Sequence, residues 1–466
     1  MSEQNASTDP AQGRLQRLLR GQGLGAKAMR GGALTILGFG GSQFLRLISN
    51  LILTRILFPE AFGLMALVYV FMQGLNNFSD VGVTPAIMQS KRGDDPDFLN
   101  TAWTMQIIRG FTLWMVTFVI AAPAAQFFEA PLLAHLLPAV GVTLFISGFN
   151  PTRLDTANRH LQFGRLTVID LCSQAFTTIV AIVAAIVLES VWALVISGIV
   201  GAVLQLILLN RFLPGIRNRL RWEKAAVSEL FNFGKWVFLS TAAGFFLSQG
   251  DKIILGKFLS VETLGIYNIG FFLAGFPLLM GGTVIRRILI PIYRERPPGE
   301  SRENFLKLRK MRFVLSGGLL AALGVLAVVS GWLIDVLYDP RYILAGGILL
   351  LVAFAQLPQL IVLTYDQAAL ASGDSHRFFV LNLCRMVCLI AGLWIGVVTY
   401  GLAGALIGQG LGMVVVYPVV VWLARHHKVW DPLHDLVFAV FGVALLVLAL
   451  WVNASFVSDL FALNSP

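Results

Sequence analysis

The stretch Leu53–Leu64, LTRILFPEAFGL, returns as Leu255–Ile266, LGKFLSVETLGI, without a gap and at an offset of 202 residues. Leu53, Arg55, Leu57, Glu60 and Gly63 stand where Leu255, Lys257, Leu259, Glu262 and Gly265 stand in the second copy. Each copy ends a long apolar run on one basic residue, turns through a short acidic loop and opens another apolar run. A chain that repeats one membrane unit after roughly two hundred residues has few architectures open to it, and a transporter built of internal repeats is the first of them. Composition agrees: 57% of the residues are hydrophobic and 13% charged, against about 25% charged in a soluble chain. The net charge of +10 would suit nucleic acid. Its distribution says otherwise, because the basic residues gather in loops on one side, as membrane insertion requires. Residues 1–32 are polar and basic, with no apolar core and no small-residue cleavage site, so they do not read as a cleavable signal.

A helix rises 1.5 Å per residue across about 30 Å of hydrocarbon, so spans are read as apolar runs of about 20 residues. Thirteen are expected, near 32–57, 62–87, 98–121, 132–152, 166–188, 191–213, 230–258, 264–291, 313–336, 344–371, 378–399, 401–424 and 435–453. The N-terminal tail (Arg14, Arg17, Arg20, Lys27, Arg30) and every even-numbered loop are basic, including YRERPPGESRENFLKLRKMR in the eighth. The odd loops are short and nearly free of Lys and Arg, which places the N-terminus and the even loops in the cytoplasm. Six spans per half return the chain to the same side, so the halves are parallel repeats. The expected organisation is a cytoplasmic tail at 1–31, six-helix bundles at 32–213 and 230–424 joined by a linker at 214–229, and an extra helix with a tail at 425–466. The fold class is an all-α polytopic membrane protein.

Polar residues inside spans are costly and normally face protein or water. Span one carries Ser42, Gln43, Arg46, Ser49 and Asn50 on one face, after glycines at 38, 40 and 41 where a bend is expected. Span two carries the stripe Gln73, Asn76, Asn77, Asp80 and Thr84; span five carries Asp170, Ser173, Gln174 and Thr177. Span seven offers Thr241, Ser248, Asp251 and Lys252 with Lys235, and span ten offers Gln356, Gln359, Asp366 and Gln367. Amides and hydroxyls often only join helices, Asp251 and Lys252 could form a structural ion pair, and Arg109 and Arg385 lie where they could snorkel to an interface. Arg55 and Lys257 read as interfacial anchors at the outer edge. Arg46 and Asp80 are deep enough to need solvation, which suits a cavity; an Arg46–Asp80 pair holding two helices is the alternative.

Soluble catalytic and cofactor patterns fail. The six histidines are scattered or lie at membrane edges, and SGDSHR at 372–377 reads as a tight turn. Cys172, Cys384 and Cys388 sit in apolar runs without a His or carboxylate to complete a metal site. There is no phosphate loop of the form GxxxxGK[ST], so no ATP hydrolysis is indicated and transport would draw on gradients. Neither a cofactor nor a metal is expected, and the chain does not read as an enzyme.

The run FSDVGVTPAIMQSKRGDDPDFLNTAW at Phe78–Trp103 resembles the second helix and first cytoplasmic loop of bacterial polysaccharide transporters. FNFGKWVFLSTAAGFFLSQGDKIILGKFLSVETLGIYNIGFFLAGFP at Phe231–Pro277 resembles their seventh and eighth helices. These are the Wzx-type repeat-unit flippases of the multidrug/oligosaccharidyl-lipid/polysaccharide exporter superfamily, and the resemblance covers most of residues 32–424. It implies two six-helix bundles around a central cavity. It also implies passage of an undecaprenyl-pyrophosphate-linked oligosaccharide across the bacterial inner membrane, with membrane lipid and polysaccharide polymerase machinery as partners. The family's cationic cavity maps onto Arg46, while Asp251 and Lys252 take the acidic–basic pair of the SQGDKIILGKF run. Gln43, Asn50, Asn76 and Asn77 complete the expected substrate-binding set, and Asp80 with Asp170 the expected ion-coupling set.

Family members commonly show fourteen spans against the thirteen read here. Lipid II flippases carry more basic residues in the first two spans, whereas span two here has Asp80 and no Arg or Lys. An ion-coupled small-molecule exporter of the same superfamily needs clustered carboxylates, for which only Asp80 and Asp170 offer themselves. A membrane-embedded polymerase or ligase tends to need a large extracytoplasmic loop, and the outer loops are short.

Overall fold

A computed structural model describes residues 24–80 and 82–462. Arg14, Arg17 and Arg20 of the tail, and the side chains of Lys27, Arg30 and Lys235, lie outside the described residues. Among the described residues every regular element is helical. In chain order they are α1 (Leu24–Ile56), α2 (Pro59–Phe78), α3 (Val83–Gln89), α4 (Pro96–Phe127), α5 (Leu133–Gly148) and α6 (Arg153–Arg159). There follow α7 (Phe163–Leu188), α8 (Trp192–Phe212), α9 (Lys224–Phe258), α10 (Val261–Glu295), α11 (Arg302–Val328) and α12 (Ser330–Leu337). A 3₁₀ turn at Pro340–Tyr342 leads to α13 (Ala345–Val362), α14 (Asp366–Ser372), α15 (Ser375–Val415), α16 (Tyr417–His426), α17 (Pro432–Val452) and α18 (Ala454–Ala462).

Among the described residues nine helices are long and apolar enough to cross a membrane, or ten if α5 and α6, bent by 63° at their junction, count as one span. The chain is therefore an all-α, multi-pass membrane protein. Length and apolarity stop short of the thirteen expected spans, although each expected stretch overlaps a helix. One reason is α15, which is two helices that fold back at Tyr400 and Gly401 (φ 55°, ψ −139°) and count as one long apolar stretch. Another departure is span two, which breaks between Phe78 and Val83, where Gly82 adopts φ 66°.

The chain separates into two compact units. The first comprises Met1–Leu53, Ser79–Val119 and Pro138–Val237, the second Thr54–Phe78, Ile120–Leu137 and Phe238–Pro466. In the first unit α7 and α8 form an antiparallel pair, and α3 packs on α6. An apolar cluster of Ile87, Phe98, Leu99, Ala102, Ala226 and Leu230 joins α3 to the first turns of α4 and α9. The glycines of α1 do not interrupt it. The helix runs unbroken through them, and a Cβ on Gly38 would strike Thr167 of α7. Missing side chains here serve close approach, which Ser42 and Gln174 then fasten (Oγ–Oε1 2.5 Å; Nε2 to the Ser42 carbonyl 3.0 Å).

The basic loops of this unit are tied to partners. Arg92 holds Asp95 and Glu223 at 2.7 and 2.8 Å, and Arg221 holds Asp97 at 2.7 Å. Arg159 donates to the carbonyls of Ile87, Met88 and Ser90 and pairs with Asp94. Hydrogen bonds from Arg92 hold the Asp95 carboxyl below the usual carboxylate range.

In the second unit α2 crosses α10 at the repeated glycines. A Cβ on Gly63 would run into the carbonyl oxygen of Val261, and one on Gly265 into the carbonyl oxygen of Pro59. Pro59 and Val261 are themselves 202 residues apart, so the two copies of the repeat meet each other symmetrically, backbone to backbone. Proline at the first position of α2, and Ser260 accepting from the Thr263 amide at 3.1 Å, start the two helices at matching points. The repeated basic residues behave as paired edge contacts: Arg55 reaches the Leu337 carbonyl at 3.5 Å, and Lys257 pairs with Glu129 at 2.8 Å.

The two arms of α15 press together with glycine against glycine, Gly392 on Gly408 and Gly396 on Gly404. The last long helix, α17, is no loose appendage. Asp431 caps it and receives Arg309 through two hydrogen bonds of 2.5 and 2.9 Å. Asp435 accepts from Tyr365 and Tyr417 at 2.8 Å each, and His434 meets Ser316 at 3.0 Å. Beneath them Arg312, 1% exposed, donates to Thr364 and the Val429 carbonyl and lies 3.9 Å from the Tyr365 ring centre.

Candidate functional site

In the first unit the expected residues of α1 separate by environment. Gln43 is buried (5% exposed) and its Oε1 has no hydrogen-bond partner. Asn50 is half-buried. Arg46 is exposed and makes no hydrogen bond or ion pair among the described residues. It lies ten residues before the end of α1, roughly 15 Å along the axis; α1 is not among the nine helices long and apolar enough to cross by themselves, and if it spans as the sequence expects, Arg46 falls at mid-depth of a core of about 30 Å. A guanidinium there needs water or an anion.

Asp80 does not sit on a continuous helical stripe. It occupies the turn between α2 and α3 and accepts the Gly82 amide at 2.8 Å. Arg109 of α4 does not snorkel but turns toward this corner, donating to Ser79 at 2.8 Å and attracted by the Asp80 carboxylate. Asp170 lies on an exposed face of α7 and meets Gln205 of α8. No hydrogen bond or ion pair joins Asp80 to Asp170 or to Arg46 among the described residues.

In the second unit Asn76 is exposed on α2, and the Asn77 carbonyl accepts Thr241 of α9 at 3.0 Å. Asp251 and Lys252, only 4% and 7% exposed, are engaged with each other at 3.6 Å. Tyr267 donates to Asp251 at 2.6 Å, and the Lys252 ammonium lies 4.7 Å from the Phe271 ring centre. The pair faces α10 rather than open space. Arg385, placed by sequence where it could snorkel, is instead buried in a two-bond clamp with Asp366 at 2.7 and 2.8 Å.

Sequence reasoning passed over Arg286. It is exposed on α10 and donates to the Gly282 carbonyl of its own helix at 3.2 Å. The signal was there, as two arginines inside the apolar run GGTVIRRILIPI.

The turn at 372–377 brings Ser372, Asp374 and His427 near one another, at 3.5 Å (Ser372–His427) and 3.4 Å (His427–Asp374). Asp374, His426 and His427 are close enough to share a metal ion. Arg377 already lies 2.7 Å from Asp374, and Asp374 caps α15, so that carboxylate is engaged by a cation and a helix end.

The comparisons with known proteins point one way. Residues 52–346 match the family described as polysaccharide biosynthesis protein. The chain is 23% identical over 307 residues to the teichuronic acid biosynthesis protein TuaB of Bacillus subtilis (strain 168), covering 64% of this chain and 62% of TuaB. It is 21% identical to the succinoglycan biosynthesis transport protein ExoT of Rhizobium meliloti (strain 1021), covering 58% of this chain and 54% of ExoT. It is 20% identical to the lipopolysaccharide biosynthesis protein WzxC of Escherichia coli (strain K12), over 82% of this chain and 77% of WzxC. The chain thus spans under two thirds of the length of the first two relatives.

Among solved structures, the lipid II flippase MurJ in an inward closed conformation aligns with a TM-score of 0.64 at 12% identity, over 92% of this chain and 96% of MurJ. An inward-facing multidrug resistance MATE family transporter of the MOP superfamily aligns at 0.62 and 15%, over 83% of this chain and 94% of the transporter. The chain shares the fold of these two proteins. With the family match spanning well over half of its length, the chain belongs to the polysaccharide biosynthesis protein family.

Proposed function

We propose that this protein is a flippase. It carries an undecaprenyl-pyrophosphate-linked oligosaccharide repeat unit across the bacterial inner membrane for surface polysaccharide synthesis and delivers it to a polymerase. The N-terminus lies in the cytoplasm, and bundles at 32–213 and 230–424 alternate access to the two faces. The names of TuaB, ExoT and WzxC support a polysaccharide cargo. The observation that carries the reading is Arg46, an exposed and unengaged guanidinium ten residues before the end of α1. A pyrophosphate offers the oxygen pairs that a guanidinium grips through two parallel hydrogen bonds, while a prenyl tail can stay in lipid. Gln43, Asn50, Asn76 and Asn77 are proposed to contact the glycan, and Asp80 and Asp170 to couple an ion. Lys252 with Asp251 is the weaker cation site, being already paired, and Arg286 offers a further exposed guanidinium. It lies roughly 37 Å from the start of α10, near the cytoplasmic interface, where it would meet the headgroup early.

Binding of a short-chain prenyl pyrophosphate to purified protein tests this. Arg46→Ala is expected to weaken binding by about 10- to 100-fold, the loss of about 1.5–3 kcal/mol from a charged hydrogen-bond set, and Arg46→Lys to retain part of it. Normal folding with unchanged affinity in Arg46→Ala would remove Arg46 from the site. Orientation has its own test. Reporter fusions at Asp95, Asn218 and Glu300 should read cytoplasmic, and those at Glu189, Val261 and Ser455 extracytoplasmic. A cytoplasmic signal at Ser455 would break the assigned topology.

A further inference from the structure

Between the end of α8 and the start of α9, residues 213–223 form no helix, yet they are held in place along most of their course. Arg153 donates to the carbonyls of Leu213 and Ile216, and Asn218 exchanges two hydrogen bonds with Thr152 at 2.8 and 3.1 Å. Further on, the amides of Arg219, Arg221 and Glu223 donate to Asn100, Thr104 and Thr101 of α4 at 2.8, 3.0 and 3.2 Å. Successive residues of an extended chain face opposite sides, so it is every second amide that reaches α4. Thr101 and Thr104 give their own hydroxyl protons to the carbonyls of Asp97 and Asn100, which leaves their oxygens to accept from this strap.

The strap presents an unusual face for a loop in water. Leu220 is 73% exposed and Trp222 55%, and Phe212 at the end of α8 is exposed as well. Arg211, Arg217, Arg219 and Lys224 are interleaved with them. All four are exposed, and their side chains make no hydrogen bond or ion pair among the described residues. Arg221 and Glu223, by contrast, are taken by Asp97 and Arg92. The helices that bear the strap set its height. α8 is long and apolar enough to cross a membrane and ends at Phe212. The 32 residues of α4 make roughly 48 Å against a core of about 30 Å. Its first turns, with Asn100, Thr101 and Thr104, therefore stand in the headgroup layer.

We propose that residues 211–224 form a binding surface for anionic phospholipid of the bilayer. Leu220 and Trp222 enter the acyl-chain boundary, and Arg217, Arg219 and Lys224 meet the phosphate-bearing headgroups. The charge fits, because basic residues beside a span draw anionic lipid within a Debye length of the surface. The apolar side chains fit, because an indole is favoured at headgroup level. A loop that served insertion alone would need its positive charge and no outward Leu or Trp. Bonds to α4 and to Arg153 have already fixed the backbone, so lipid has little left to order. No cargo is involved, so this surface stands or falls separately from the lipid-linked glycan.

Lipid quenching in the full-length protein tests it. With Cys172, Cys384 and Cys388 replaced by serine, Leu220→Cys or Trp222→Cys carries a bimane label in phosphatidylcholine vesicles. These are doped with nitroxide-labelled phosphatidylglycerol or with nitroxide-labelled phosphatidylcholine. The phosphatidylglycerol label should reach half-quenching at a mole fraction about fivefold lower, the factor that one cation near the surface supplies. Aqueous iodide should quench little. The preference should shrink at about 1 M salt, where the Debye length is about 3 Å, and vanish in Arg217→Gln/Arg219→Gln/Lys224→Gln. The salt arm needs no charge variant, so it decides the matter even where the triple variant fails to fold.

Equal quenching by the two lipids, at low salt, would overturn the headgroup site. Strong quenching by iodide with little by either lipid would mean a strap that faces water, and quenching by neither would mean one covered by protein. Either result is equally fatal.

Discussion

A side chain introduced at Gly63 or Gly265 is expected to stop turnover while leaving the protein in the membrane. The two glycines face each other's carbonyl partners, Val261 and Pro59, with no room for a Cβ. Gly63→Leu must therefore part α2 from α10. Overpacking a close contact costs about 1–3 kcal/mol, which shifts a two-state equilibrium about 5- to 150-fold against the state in which these helices touch. Transport that must pass through that state should fall by a similar factor, and the double variant Gly63→Leu/Gly265→Leu should fall furthest. Leu57, 1% exposed beside this crossing and bonded through its carbonyl to Tyr342, reports the change. A cysteine there, with Cys172, Cys384 and Cys388 replaced by serine, should react faster with an aqueous maleimide in the Gly63→Leu background. Wild-type export by the double variant at normal membrane levels would sink the idea that the crossing closes during the cycle.

The largest stability effect is expected at Arg385 and Asp366. Both are buried, and each is the other's partner. Arg385→Ala leaves an unpaired carboxylate in the interior and should cost about 3–5 kcal/mol. Because these helices sit in lipid, that will be seen as a lowered midpoint of thermal inactivation and a smaller steady-state amount of protein. Asp366→Leu combined with Arg385→Met removes the charge problem with the charges, so it should be milder than Arg385→Ala alone. If Arg385→Ala shows the wild-type midpoint, the clamp contributes nothing to the fold.

What the sequence made legible follows from what membranes demand locally. Apolar runs had to become helices, because lipid offers no partner to a bare backbone, and the 202-residue repeat singles out Gly63 and Gly265 by itself. What stayed hidden depends on neighbours. The glycines at 38 and 41 read as a bend because glycine weakens a helix, yet Thr167 and Leu171 of α7 lie against them. Lys252 and Asp251 read equally as a structural pair or as a cargo site until Tyr267 and Phe271 are placed beside them. Asp80 falls on a helical stripe only as long as α2 and α3 are taken for one helix. Arg46 is legible because depth alone singles it out.

The turn at Tyr400–Gly401 bears on how the chain reaches the membrane at all. Two arms of one helix are joined there without a loop, and Gly392, Gly396, Gly404 and Gly408 leave their backbones in contact from the start. No charged residue lies between Arg385 and Arg425, so nothing at the turn can be held back on one side by positive charge. During biogenesis the second arm has no resting place of its own. The two are expected to leave the insertion machinery for lipid as one folded hairpin, with Gly401, at a backbone angle that suits glycine alone, at its turn.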